Sequence, residues 1–355
     1  MNLMNDELND LRDLADDVFG KQSVPDLELT RFDLDAPLWN TLAELGLTSL
    51  SIPESQGGGG ATLVESGVVL AASGKFGASV PIAENEWLAG WLWSMSGGSV
   101  DDAALSIATG DLSAVAAGDE YRIVGTAARV PYAGDVSALI VLVGSAEGDL
   151  VGYVPRPDYV AEPGWNLAGE RRDSVTFDVR LSKECLRPAP GGVRQELWLR
   201  GALARSAQSI GAAERAVELT IDYTSQRKQF GRTLSKFQIV QQAVAAQASG
   251  LAAARVAVDV AIRTAAKHGF ASPTTALAVA VAKSRTAAIG SAVARSAHQL
   301  HGAIGFTMEH QLRLSTTRLW SWRAEYGSQA HWDSAVADIA VDTGAENLWA
   351  TLTAP

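Results

Sequence analysis

Residues 223–238 read YTSQRKQFGRTLSKFQ, with four cations, two phenylalanines and a glycine, in a chain of net charge −11. Arg227 offers a planar fork of donors suited to phosphate or carboxylate. Phe230 offers an apolar ring, and Gln238 offers both a donor and an acceptor. If the stretch is helical, at about 100° per residue, Arg227, Gly231, Leu234 and Gln238 share a stripe with Phe230 on its flank. A glycine inside a helix costs roughly 1 kcal/mol relative to alanine, and one use for it is close approach by something bulky. That set suits an anionic, partly aromatic ligand such as a nucleotide. The same residues also fit a solvated corner between two helices, with Gly231 as a C-cap. His301, Glu309 and His310 invite comparison with a metal site, but Glu309 and His310 are adjacent and point apart, and no H-E-x-x-H spacing occurs. No metal is expected. No nucleophile elbow appears.

These residues need elements to hold them. Residues 1–100 read as an N-terminal helical domain. DELNDLRDLADDVF and APLWNTLAELGL have helical apolar spacing, the second ending at Gly46. The glycine run in IPESQGGGGATLVESGVVL reads as an interhelical loop, and Thr62 with Glu65 as a capping box for the next helix. Residues 101–190 are short β-rich runs between Gly-Asp and Pro turns, which predict a small central antiparallel sandwich or barrel. Residues 191–355 return to long, Ala-rich amphipathic runs, which predict a C-terminal helical bundle with close helix–helix packing. The fold class is α+β and mainly α.

Composition narrows the partners. With 29 Lys and Arg against 40 Asp and Glu, a nucleic-acid role is excluded, since phosphate contacts need a basic footprint. The lone cysteine, Cys185, allows no intrachain disulfide and fits a cytoplasmic setting. The acidic N-terminus lacks a signal-peptide core, and no uninterrupted apolar run predicts membrane insertion. Six of ten tryptophans fall in two groups, at 87–93 and 320–332, where core and interface packing is the expected use.

Y-x-x-x-R-x-Q-F-G-x-x-L-x-x-F-Q closely resembles the signature of the acyl-CoA dehydrogenase family. Gln299, Gly302 and Gly305 in QLHGAIGF are similar to its Q-x-x-G-G-x-G-[YF], and IPESQGGGG resembles its PE-x-x-GG-x-G stretch. The helical, β, helical order is also the family's. The resemblance implies FAD, and α,β-desaturation of acyl-CoA thioesters: a carboxylate takes the α proton and the β hydrogen leaves as hydride. It places Arg227 on the pyrophosphate of a neighbouring subunit's FAD and Phe230 and Gln238 on its adenosine side. Gln299, Gly302 and Ala303 would meet the same FAD from the next helix end, so that residues 191–355 carry FAD-contacting and oligomer surfaces.

Departures from the family pattern are as informative. No T-E-P-x-x-G-S-D-like loop precedes the strands. In GTAARVPYA, Arg129 stands where the family's flavin-packing tryptophan would be and Pro131 where its hydroxyl would be. The usual catalytic glutamate falls on Tyr326, with Glu325 one residue earlier as the candidate base. The alternative position for the base falls near Gly201, which has no carboxylate. Three roles follow. One is a self-sufficient homodimeric or homotetrameric dehydrogenase using Glu325. Another is the subunit of an α2β2 heterotetramer that completes a partner's FAD site, acting by analogy on bulky acyl-CoAs such as steroid side-chain thioesters. The third is a flavin-free scaffold or acyl-CoA binder. An electron-transferring flavoprotein is the electron acceptor the family implies.

Overall fold

The computed structural model describes residues 2–22 and 27–353; Met1, residues 23–26 and the last two residues, which fall within the first and last predicted regions, lie outside the described residues. The helical, β, helical order is present. The first part holds α1 (Asn2–Gln22), α2 (Ala36–Glu44), α3 (Leu63–Phe76) and α4 (Gly90–Met95). Asp35 caps α2 by accepting from the Leu38 N–H, and the chain turns at Gly46 with φ +70°. The glycine-rich loop leads into α3 through the expected capping box. Thr62 accepts from the Val64 N–H while the Glu65 carboxylate accepts from the Thr62 N–H.

Ahead of α4 lies a turn of π-helix, Glu84–Ala89, in which the Gly90 N–H reaches back to the Asn85 carbonyl. The wider turn sends Glu84, Asn85 and Glu86 inward, and all three are buried. Asn85 bonds the Thr48 carbonyl and the Leu105 N–H, and Glu86 accepts from the Ser51 N–H. One polar turn therefore ties the glycine-loop segment to the first strand.

The strands are β1 (Leu105–Ala108), β2 (Asp111–Ala117), β3 (Glu120–Pro131), β4 (Ala138–Ser145), β5 (Gly148–Pro155), β6 (Val160–Glu162), β7 (Arg172–Ser182) and β8 (Leu186–Pro188). They form one eight-stranded sheet in the order β6-β7-β3-β2-β4-β5-β8, with β1 beside β4. Pairing is antiparallel as expected, except that β1 runs parallel to β4 and β2 meets β4 in a single parallel bridge. So the domain is a mixed sheet, not a purely antiparallel sandwich or barrel. β1 pairs with the first half of β4, Ala138–Val141, within the six residues of β4 that are buried, as suits a parallel pair. β7 alternates cleanly, with Val175, Phe177, Val179 and Leu181 inward.

The bundle comprises α5 (Val193–Gln226), α6 (Gln238–His268), α7 (Pro273–His301), α8 (Leu312–Trp322), α9 (Gln329–Thr343) and α10 (Ala345–Thr353), with a two-stranded hairpin, β9 (Lys228–Gln229) and β10 (Arg232–Thr233), between α5 and α6. α5 is the axis and packs on α3, α6, α7 and α8. Where α3 crosses α5 the backbones touch. A methyl added to Gly74 would lie 2.0 Å from the Gln208 carbonyl oxygen, and one added to Gly211 would lie 1.9 Å from that of Ala71. Trp87, Trp322 and Trp332 are core residues, as the clustering suggested. α6 and Pro273–Phe306 are, by length and composition alone, apolar enough to cross a bilayer, because runs of alanine replace charge. In the molecule they pack against each other and α5.

Gly211→Ala would push a methyl into a backbone carbonyl that no rotamer change can move. Overpacking of this kind costs about 1–3 kcal/mol, more than the helix propensity alanine returns. Thermal denaturation should show a lower Tm for Gly211→Ala than for alanine at the open glycine Gly191, which meets nothing within 4 Å.

Candidate functional site

Two places carry the chemistry. The first is the corner where α5 ends. The chain is not helical through 223–238. α5 stops at Gln226, Arg227 turns to extended backbone, and Phe230 and Gly231 make the hairpin turn with φ +50° and +79°. Two successive positive φ values match the twist of a tight hairpin, which explains the glycine without a mid-helix cost. Gly231 is therefore a hairpin residue, not a C-cap, and Arg227, Gly231, Leu234 and Gln238 do not form a helical stripe. Gln238 opens α6 instead. Arg227, Phe230 and Gln238 are all exposed, Phe230 by 91%. Its ring meets Phe237 edge-on, and Arg232 lies 4.1 Å over the Phe237 ring.

Gln299 lies in the last turn of α7, and Gly302 and Ala303 follow it in a short 3-10 turn, all exposed. Tyr223, four residues before Arg227, stacks on His301 with ring centroids 4.6 Å apart. His310 packs edge-on to both rings. The two motif segments are thus joined at one aromatic contact. The donors of that corner, Arg227, Lys228, Arg232 and Lys236, face solvent on or beside the hairpin, and none is ion-paired to a carboxylate among the described residues. An open set of cations of this kind suits an anionic group such as a phosphate.

The second place is a cavity of about 490 Å³ between the sheet and the bundle, lined by Arg129, Pro131, Trp165, Trp198, Glu325 and Tyr326 among others. Its inner wall is a buried ionic chain. Glu84 on the π-turn pairs with Arg205 on α5. Arg205 Nε donates to Glu325 Oε2 at 2.6 Å, and Arg172, at the start of β7, lies 2.9 Å from Glu325 Oε1. Arg172 also pairs with Glu170 at 3.2 Å, and Glu170 with Arg318 on α8 at 3.3 Å. Glu170 further accepts from the Trp322 indole N–H at 2.9 Å. Burial opposes ionisation of Glu325, but Arg172 and Arg205 outweigh it and hold the carboxyl at about 2. A carboxylate that acidic is a weak proton acceptor.

Tyr326 and Gly201, the two positions where the base was sought, meet here: a methyl on Gly201 would lie 2.3 Å from the Tyr326 ring. Neither is a carboxylate, and burial pushes the Tyr326 phenol further up from its ordinary value. The cavity wall also departs from the family pattern for an isoalloxazine ring. Arg129, where the resemblance expects a stacking tryptophan, and Pro131, which has no N–H to donate, both line the cavity. The structure therefore has an open donor corner and, apart from it, a cavity whose one lining carboxylate, Glu325, is held by two arginines. Sequence reasoning missed Arg172, Arg205, Glu84 and Glu170. The available signal was Arg205, a lone charge in the small-residue run GALARSAQSIGAA.

A family model described as the acyl-CoA dehydrogenase C-terminal domain matches residues 195–328, and one described as the acyl-CoA dehydrogenase N-terminal domain matches residues 5–96. The acyl-CoA dehydrogenase FadE27 of Mycobacterium tuberculosis is 28% identical over 334 residues, 85% of this chain and 88% of the relative. The acyl-CoA dehydrogenase IpdE2 of the same organism is 30% identical over 282 residues, 79% of each. The ChsE4-ChsE5 complex of that organism is similar in structure, with a TM-score of 0.85 at 23% identity over 95% of this chain and 98% of that one. At that identity the likeness shows the fold.

The ionic chain generates a pH prediction. The folded Glu325 carboxyl is depressed, so its stabilisation is present above the unfolded value near 4.5 and is lost as pH falls toward about 2. A depression of that size corresponds to on the order of 3 kcal/mol. Glu325→Gln leaves two buried guanidinium groups short of a counter-charge, a change that costs about 3–5 kcal/mol. Tm measured from pH 7 to pH 2.5 should be lower at neutral pH in the variant and fall less steeply with acid than in the parent.

Proposed function

Because this chain belongs to the acyl-CoA dehydrogenase family, we propose that it serves α,β-desaturation of acyl-CoA thioesters as the subunit that completes a partner's FAD site. The observation that carries this reading is the separation of the two half-sites. The positions for a base converge on Tyr326 and Gly201, where no carboxylate is present, and the adjacent Glu325 is bound to two arginines. Use of Glu325 as the base would require it to leave both. The donor corner, in contrast, is open and solvent-facing.

In this reading Arg227 neutralises the diphosphate of a partner's FAD, and Phe230 and Gln238 cover its adenosine side. Gln299 and the backbone at Gly302 and Ala303 meet it from the end of α7. Gly302, with φ +65° and open space where a side chain would sit, allows close backbone approach. The Tyr223–His301 stack sets the spacing of the two groups of donors. Bound FAD supplies the acceptor for the β hydrogen. The base belongs to the partner, and this chain contributes cofactor retention and water exclusion. An exposed Phe230 is expected at a surface made to be covered. So are Ile239, Val256 and Val260 on the outer side of α6, which are likewise exposed. The complex is a heterotetramer with a related chain, and its substrate class is a bulky acyl-CoA.

The test is flavin absorbance after gel filtration. The chain purified alone should elute colourless, and co-expression with a related dehydrogenase chain should give a yellow complex. One FAD per subunit in the chain alone overturns the reading. Within the complex, Arg227→Ala removes a charge-assisted contact of about 1.5–3 kcal/mol, and FAD retention should weaken roughly tenfold to a hundredfold. Unchanged flavin content in that variant would remove Arg227 from the site.

A further inference from the structure

We infer that His301 and His310 form an acid-sensitive latch that holds the turn between α7 and α8 against the end of α5. The latch is a property of this chain alone. Its bearing on FAD rests on the partner-subunit reading, because Gly302 and Ala303 lie in the turn that it holds. His301 closes α7, is 3% exposed, and its Nδ1 donates to the Ala297 carbonyl at 2.8 Å. One face of its ring is covered by Tyr223 of α5, and His310 packs edge-on with centroids 4.7 Å apart. His310 Nδ1 accepts from the Leu312 N–H at 3.1 Å, at the first turn of α8. Behind them His298, 6% exposed, lies between the rings of Phe306 and Trp320, with its Nε2 3.0 Å from Thr316 Oγ1 of α8. Three of the chain's five histidines therefore meet where α5 ends, α7 ends and α8 begins.

Both members hold their places as neutral rings. A proton on His310 Nδ1 removes the acceptor of the Leu312 N–H. It also sets a cation at the N-terminus of α8, the end of a helix that favours anions. A proton on His301 puts a charge in a site closed by Tyr223 and His310. Burial pushes His298, His301 and His310 below their ordinary value near 6.5, and charge on His301 opposes charge on the other two. The Ala297 and Leu219 backbones favour the proton on His301, and the Gly305 backbone that on His298, without reversing either shift. No carboxylate is among the groups that shift any of the three. Glu309, beside His310, is exposed. On α5, Glu218 pairs with Arg215, which donates to Gln311 next to His310. The fold favours the neutral rings, so the stabilisation they give is complete above about 6.5 and declines as pH falls below it.

Hydrogen–deuterium exchange of the full chain at about pH 7.5 and about pH 5, with labelling times scaled for intrinsic exchange, tests this. Residues 219–226 and 301–312 should lose protection together in acid by at least about tenfold, while α6 does not. One ring that charges only on opening supplies up to about tenfold per pH unit below its ordinary value. His310→Asn keeps an acceptor for the Leu312 N–H, His301→Phe keeps a ring against Tyr223, and neither replacement titrates. The double variant should keep its protection in acid. Histidine ring signals followed by NMR give a second readout in the parent, where both rings should titrate below 6.5. Unchanged protection of the parent in acid, equal loss in the double variant, or either ring titrating at or above 6.5 would overturn the latch. In the co-expressed complex, FAD should be released over the same pH range. FAD kept in acid by a complex whose latch opens would leave the latch standing and count against FAD at Gly302 and Ala303.

Discussion

The structure depends on one chain of alternating charges, Glu84–Arg205–Glu325–Arg172–Glu170–Arg318. Its members come from the π-turn before α4, from α5, from the turn after α8, from the start of β7 and its preceding loop, and from α8. It therefore crosses all three regions of the molecule. Three acids face three bases, so the buried charges cancel, but each must remain in place. Buried ion pairs of this sort add little net stability over an apolar core, yet breaking one is costly. Their effect here is positional: they set how the sheet and the bundle meet around the cavity. They also occupy the carboxylate that would otherwise be the candidate base.

The fold was legible in the sequence because its evidence is local. Thr62 and Glu65 lie three residues apart, and the box they form needs no tertiary contact to be recognised. The same holds for the apolar spacing of APLWNTLAELGL up to Gly46, for the short β-rich runs between turns and for the long Ala-rich runs. What escaped was set at a distance. The parallel pairing of β1 with β4 depends on residues more than thirty apart. The hairpin at Phe230 and Gly231 escaped because helical runs on both sides made the glycine look like an interruption rather than a turn.

The donor residues were placed through motif resemblance, and the structure adds how they are held: Tyr223 against His301 connects two segments that no spacing rule relates. The cavity was least legible. Arg205 and Arg172 lie in unrelated parts of the chain, and only folding brings both to Glu325. The sequence places Glu325 one residue before the family's position for the base; the two guanidinium groups on its carboxylate are a tertiary feature.

The π-turn at Glu84–Ala89 has a consequence for chain length. A π-turn is a helix carrying one residue more than an α-helix would need. Deleting any one residue there would allow an ordinary helix to re-form. The flanking segments would keep nearly their present angle, because the wider turn is what absorbs the extra residue, but the residues within the turn would be re-aimed. Glu84, Asn85 and Glu86 could no longer face Arg205, the Leu105 N–H and the Ser51 N–H together. Point substitutions elsewhere in this helix can be absorbed one at a time, but its residue count cannot change, and the first step of the ionic chain is set by that count.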